Sequence, residues 1–157
     1  MGDTLLQERY ARVLDRLDAA CAAAGRSRQS VRLIAVSKLH PAESLAVVAA
    51  AGQIDFGENY VQEALQKRLD LAAAPATASL CAGIRWHMIG HVQSRKAPLV
   101  AGAFSLVHTL DSRKLADAME RRLVEADARQ PVLFEVNVGG ESQKSGVISG
   151  DLPELAD

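Results

Sequence analysis

Cysteine is scarce in this chain: Cys21 and Cys81 are the two among 157 residues. They lie far apart and outside any Cys-x-x-Cys pair, so nothing suggests a disulfide framework or a zinc site. Cys21 stands among alanines in a helical pattern and is expected to pack as a small apolar side chain. Aromatic residues make up only 4% of the chain, too few for a base-stacking surface. Charge of one sign is also missing. Eighteen Lys and Arg face nineteen Asp and Glu, a net charge of −1, which gives no electrostatic case for nucleic acid or an anionic membrane. No apolar run approaches the roughly 20 residues a membrane helix needs. The amino terminus carries Asp3, Glu8 and Arg9 in place of a secretory apolar segment. A reducing cytoplasm is the expected home.

What is present is an ordinary globular composition, 48% apolar and 24% charged. Residues 5–24 show apolar residues at helical spacing and predict a helix. Val31 to Lys38 is a short apolar run rich in β-branched residues and predicts a buried strand. Helical patterns follow over 43–51 and 60–74, around a short strand at 54–59. Pro75 to Gly83 is expected to be a loop. Strands are expected over 84–90, 104–110 and 131–138. A short helix within 91–100 should begin late or be broken at Pro98. A longer helix should open at Asp111 or Ser112 as its cap. Residues 139–146 form a polar loop, and 151–154 open a further helix.

Strand and helix therefore alternate at the period of a βα unit, with five strands visible. Each strand ends in polar residues, and both βα barrels and open doubly wound sheets bind ligands at strand carboxyl ends. No Gly-x-Gly-x-x-Gly follows the first strand, which weighs against a dinucleotide-binding sheet. Five strands cannot close a barrel that needs eight, so the chain is expected to be truncated.

Lys38 is the first candidate site residue. At the dry end of a strand, desolvation disfavours a lysine's charge and leaves a neutral amine able to attack an aldehyde. The plainer alternative is a lysine snorkelling to water. Asn59 ends the second strand and could offer a hydrogen bond to a ligand there, though turn asparagines are common. His87 lies within an apolar strand, where histidines are mostly structural. Asn137, at the end of the fifth strand, could face a ligand bound there. Gln93, Ser94 and Lys96 could line the mouth, Asp111 suits a helix cap, and Lys144 could accept an aldehyde transiently. His87 and His91 share no helix face, so no metal site is expected.

Five stretches occur in one order: Ala35-Val-Ser-Lys38, Phe56-Gly-Glu-Asn-Tyr-Val-Gln-Glu63, Trp86-His-Met-Ile-Gly-His-Val-Gln-Ser-Arg-Lys96, His108-Thr-Leu-Asp-Ser112, and Glu135-Val-Asn137 through Lys144-Ser-Gly146. Together they resemble the YggS-type pyridoxal phosphate homeostasis proteins. The resemblance implies a partial TIM (β/α)8 barrel of the alanine racemase N-terminal-domain type, about five βα units of a single domain over 1–157. It implies pyridoxal 5′-phosphate held as a Schiff base on Lys38, with Asn59, His87 and Asn137 as further cofactor-binding residues and no catalytic residue. The implied role is intracellular cofactor homeostasis, with PLP-dependent apo-enzymes as clients. Met88 stands where phenylalanine is usual and Arg95 where asparagine is common. The carboxyl-terminal third, with its phosphate-cradling loops, is expected to be missing. The alternatives are a racemase-like PLP enzyme, for which no strand-end tyrosine or cysteine offers a second acid/base, and a non-binding remnant. An intact barrel is expected to be monomeric, whereas a fragment could associate.

Overall fold

A computed structural model describes residues 2–156. The chain divides into two compact units, Met1–Phe56 with Gln66–Ile84, and Gly57–Leu65 with Arg85–Asp157. The architecture is α/β, with a five-stranded sheet in the order β1-β2-β3-β4-β5.

The first unit opens with α1 (Gly2–Ala23), followed by β1 (Ala35–Val36) and α2 (Ala42–Ala50). Helix α2 buries Ala42, Leu45 and Val48, three and six residues apart along one face. Tyr10 on α1 donates its hydroxyl to Gln53 Oε1 at 3.0 Å, and burial pushes that phenol's pKa up. Gln53 in turn donates to the Leu33 carbonyl at 2.9 Å. That bond explains a departure from expectation. The run from Val31 does not form one long strand. Part of its backbone bonding goes to a side chain, and regular strand is confined to Ala35–Val36.

Strand β2 (Asp55–Glu58) and helix α3 (Val61–Ala73) pass from one unit into the other along the chain. A second correction follows them. Pro75–Gly83, expected as a loop, is helix α4. Pro75 occupies its first turn, where no amide hydrogen is needed. Both Thr77 and Ala78 donate their amides to the Ala74 carbonyl, which starts the helix.

In the second unit, β3 (Arg85–Met88), β4 (Leu106–Leu110) and β5 (Val132–Phe134) run parallel, with His87 opposite Leu106 and Val107 opposite Val132. Trp86, Met88, Val107, Leu115 and Met119 are buried there. Helix α5 (Ala97–Val100) does begin late, with Pro98 in its first turn. Helix α6 (Arg113–Glu125) is capped by Ser112, whose hydroxyl accepts the Leu115 amide. The expected fifth strand over 131–138 is broken at Glu135. The Glu135 amide bonds the Leu110 carbonyl of β4, while its own carbonyl accepts from Val147. Beyond the break, β6 (Val136–Asn137) pairs in parallel with β7 (Val147–Ile148), and α7 (Leu152–Ala156) ends the described chain.

Candidate functional site

Lys38 lies beyond β1, in a turn, and is exposed. The desolvation expected of a lysine at a buried strand end is therefore absent. The turn itself is well held. The His40 amide bonds the Ser37 carbonyl at 3.1 Å. That same carbonyl accepts from Lys67 Nζ at 2.7 Å, and Lys67 is 5% exposed. Leu39, next to Lys38, has φ 63°, a left-handed conformation that costs a non-glycine residue roughly 1 kcal/mol or more. The backbone on both sides of Lys38 is thus fixed while its side chain is in water.

Sequence reasoning overlooked Lys67. The signal was available: Val61, Ala64, Lys67 and Leu71 form one helical stripe, and all four are buried. A charged residue on an otherwise apolar stripe needs a polar partner inside.

The other candidates lie in the second unit. Asn59 is half-buried, just past β2. Its backbone lies against Gly90, where an added Cβ would meet the Asn59 carbonyl oxygen at 2.4 Å. Thr109 on β4 donates its hydroxyl to the Gly90 carbonyl at 2.8 Å. The ends of β2, β3 and β4 are therefore joined through Asn59, Gly90 and Thr109. The Ile89 amide adds to this by bonding the Glu58 carbonyl at 2.9 Å.

His87 is buried, and its Nδ1 lies 3.0 Å from His108 Nε2. One ring donates and the other accepts, so the two tautomers are coupled. Burial first, and the His87 charge second, push the His108 pKa below the ordinary histidine value. His108 was visible in the sequence as part of a motif but was not among the candidate site residues.

Asn137 holds a loop. Its amide nitrogen donates to the Glu141 carbonyl at 2.9 Å, and its oxygen accepts the Glu141 amide at 3.2 Å. Gly146, at φ 110°, passes so close to Asn137 that a Cβ would come within 2.7 Å of the Asn137 nitrogen. Asp111, expected as a helix cap, instead pairs with His91 at 2.9 Å while Ser112 does the capping. Lys96 donates to Gln62, and Lys144 pairs with Glu141.

The family model described as alanine racemase, N-terminal domain, matches residues 13–157. The chain is 41% identical over 152 residues to the pyridoxal phosphate homeostasis protein of Pseudomonas aeruginosa, covering 97% of this chain and 63% of that relative. It is 38% identical over 146 residues to the protein of the same name from Escherichia coli K12, covering 93% and 60%. It is also similar to the solved structure of PipY from Synechococcus elongatus with PLP bound. There the TM-score is 0.67 and the identity 33%, over 90% of this chain and 64% of that one. The chain thus spans a little under two thirds of the length of these relatives.

Proposed function

Because the chain belongs to the alanine racemase N-terminal domain family, we propose that it binds pyridoxal 5′-phosphate with the Lys38 amine as covalent anchor. The observation that carries this is the Lys38 turn, where a water-exposed amine projects from a backbone pinned on either side. An accessible amine on a fixed turn fits a cofactor whose reactive group is an aldehyde. When bound, pyridoxal phosphate supplies that electrophilic carbonyl and an electron-withdrawing ring. The names of the relatives and the PLP-bound PipY structure support the choice of cofactor.

The chain's own residues divide the work. Lys38 presents Nζ. Lys67 and the His40 amide hold the Ser37 carbonyl, which limits the directions Lys38 can take. Asn59, His87 and Asn137 lie in the second unit, where Asn59 packs against Gly90, His87 meets His108 and Asn137 holds the Glu141 loop. The proposed role is to carry the cofactor and release it to PLP-dependent apo-enzymes in the cytoplasm, without turnover. Among the described residues no helix is long and apolar enough to cross a membrane.

The test is direct. Protein mixed with pyridoxal phosphate should gain a visible absorption band that borohydride abolishes, leaving the added mass on the Lys38 peptide. Lys38→Ala should show neither change. An unchanged band in Lys38→Ala would remove Lys38 as anchor. Washout of α-deuterium from amino acids by the loaded protein would replace carriage with racemase-type catalysis.

A further inference from the structure

The second unit carries a cleft of about 520 Å³ lined by Gln93, Ser94, Arg95, Lys114, Ala118 and Arg121. Three of the six lining residues are cationic and none is a carboxylate. They come from two elements. Arg95 stands in a 3-10 turn, Ser94–Lys96, ahead of α5, while Lys114, Ala118 and Arg121 belong to α6. Spacings of four and seven put Lys114, Ala118 and Arg121 on one stripe of that helix. Ala118, between the two long cations, keeps the floor of the cleft low.

The ion pairing around the cleft is selective. On the same helix Arg113 pairs with Asp117 at 3.1 Å and Arg122 with Glu125 at 3.2 Å. Lys114 and Arg121 have no ion-pair partner among the described residues. Arg95 donates Nε to Gln93 Oε1 at 2.9 Å, a neutral partner that orients the guanidinium without cancelling its charge. Its remaining N–H groups suit the oxygens of a phosphate. Holding three unneutralised cations around one hollow costs repulsion, which an anion of two or three charges would relieve.

We propose that this cleft binds a small phosphate-bearing anion, at a site separate from Lys38. The size of the hollow is that of a small-molecule site. An extended polyanion fits less well, because Asp117, Glu120 and Glu125 on α6 break the basic surface into one short patch. Ser94 and Gln93 add neutral groups for the outer oxygens.

Inorganic pyrophosphate is the probe, titrated by calorimetry at low ionic strength into the full chain. Saturable binding near one equivalent is expected. Lys114→Gln and Arg121→Gln should each weaken it about tenfold or more, the scale of one lost charge-assisted contact. Arg121→Lys should retain part of the affinity. Lys38→Ala and Arg129→Gln should leave it unchanged. The first of these separates the cleft from the proposed cofactor anchor, and the second separates it from general surface charge. All the altered side chains are exposed, so folding should survive, which circular dichroism checks. No saturable binding, equal losses in Arg129→Gln and Arg121→Gln, loss only in Lys38→Ala, or binding to heparin without binding to pyrophosphate would each overturn the proposal.

Discussion

Lys67 shows how a single buried charge can pin an exposed turn. Its ammonium reaches the Ser37 carbonyl from inside the fold, one residue ahead of Lys38. Lys67→Met keeps much of the stem's packing and removes the donor. Hydrogen bonds to charged groups are worth about 1.5–3 kcal/mol, so urea unfolding should show a loss of that order. The same variant should form the Lys38 adduct more slowly, because the Ser37 carbonyl then loses its ammonium donor. Unchanged stability would mean that water replaces the ammonium without cost. His108 gives a pH signature at the same scale. Its folded pKa lies below the ordinary value of 6.5, so the unfolded chain takes up the proton first. Stability should therefore be fully present above about pH 6.5 and should fall as pH drops through that value toward the folded pKa. His108→Gln should flatten this part of the profile, as read from urea midpoints at a series of pH values. An identical slope in the variant would place the titration elsewhere.

At the scale of elements, Gly90 brings the ends of β2 and β3 together, closer than any other glycine of the described residues comes to its neighbours. A methyl group at Gly90 would overlap the Asn59 backbone, which no rotamer change can relieve. Gly90→Ala should cost at least about 2 kcal/mol, within the range seen for forced backbone shifts, and thermal melting would measure it. A melting point equal to wild type would show that the strand ends can part freely. Much of this level was legible beforehand. Apolar runs marked where strands fall, and Ser112 was a visible helix cap. What escaped had identifiable causes. The alanine-rich Pro75–Gly83 has no apolar stripe, and Pro75 reads as a breaker unless it falls in a first turn. The Val31 run reads as a longer strand than it forms, because nothing in it reveals that Gln53, twenty residues from Leu33, takes the Leu33 carbonyl. The fifth run looks continuous, yet the Glu135 backbone turns from β4 to β7, a choice made by tertiary pairing. Lys38 was legible as part of a motif, but its surroundings were not: exposure depends on what packs nearby, and local sequence does not encode that.

At the scale of the whole molecule, the sheet order leaves β5 as an outermost strand. Leu133 and Phe134 on that strand are 49% and 38% exposed, and Val138 and Ile148 beyond it are 85% and 59% exposed. Soluble edge strands are usually blunted by lysine, proline or a bulge, because an open row of amides and carbonyls templates further pairing. The strand residues Val132 to Phe134 carry no charge at all. Apolar side chains and open backbone therefore coincide, and the chain should self-associate with rising concentration. Sedimentation velocity across a wide concentration range would detect this as a rising weight-average coefficient. Leu133→Lys places a charge on the edge without touching Lys38 or the α6 cleft. It should shift the distribution toward the monomer while both ligand tests keep their wild-type outcome. A wild-type chain that stays monomeric at the highest concentrations would mean that this edge is protected after all. A variant that associates as readily as wild type would move the contact to another surface.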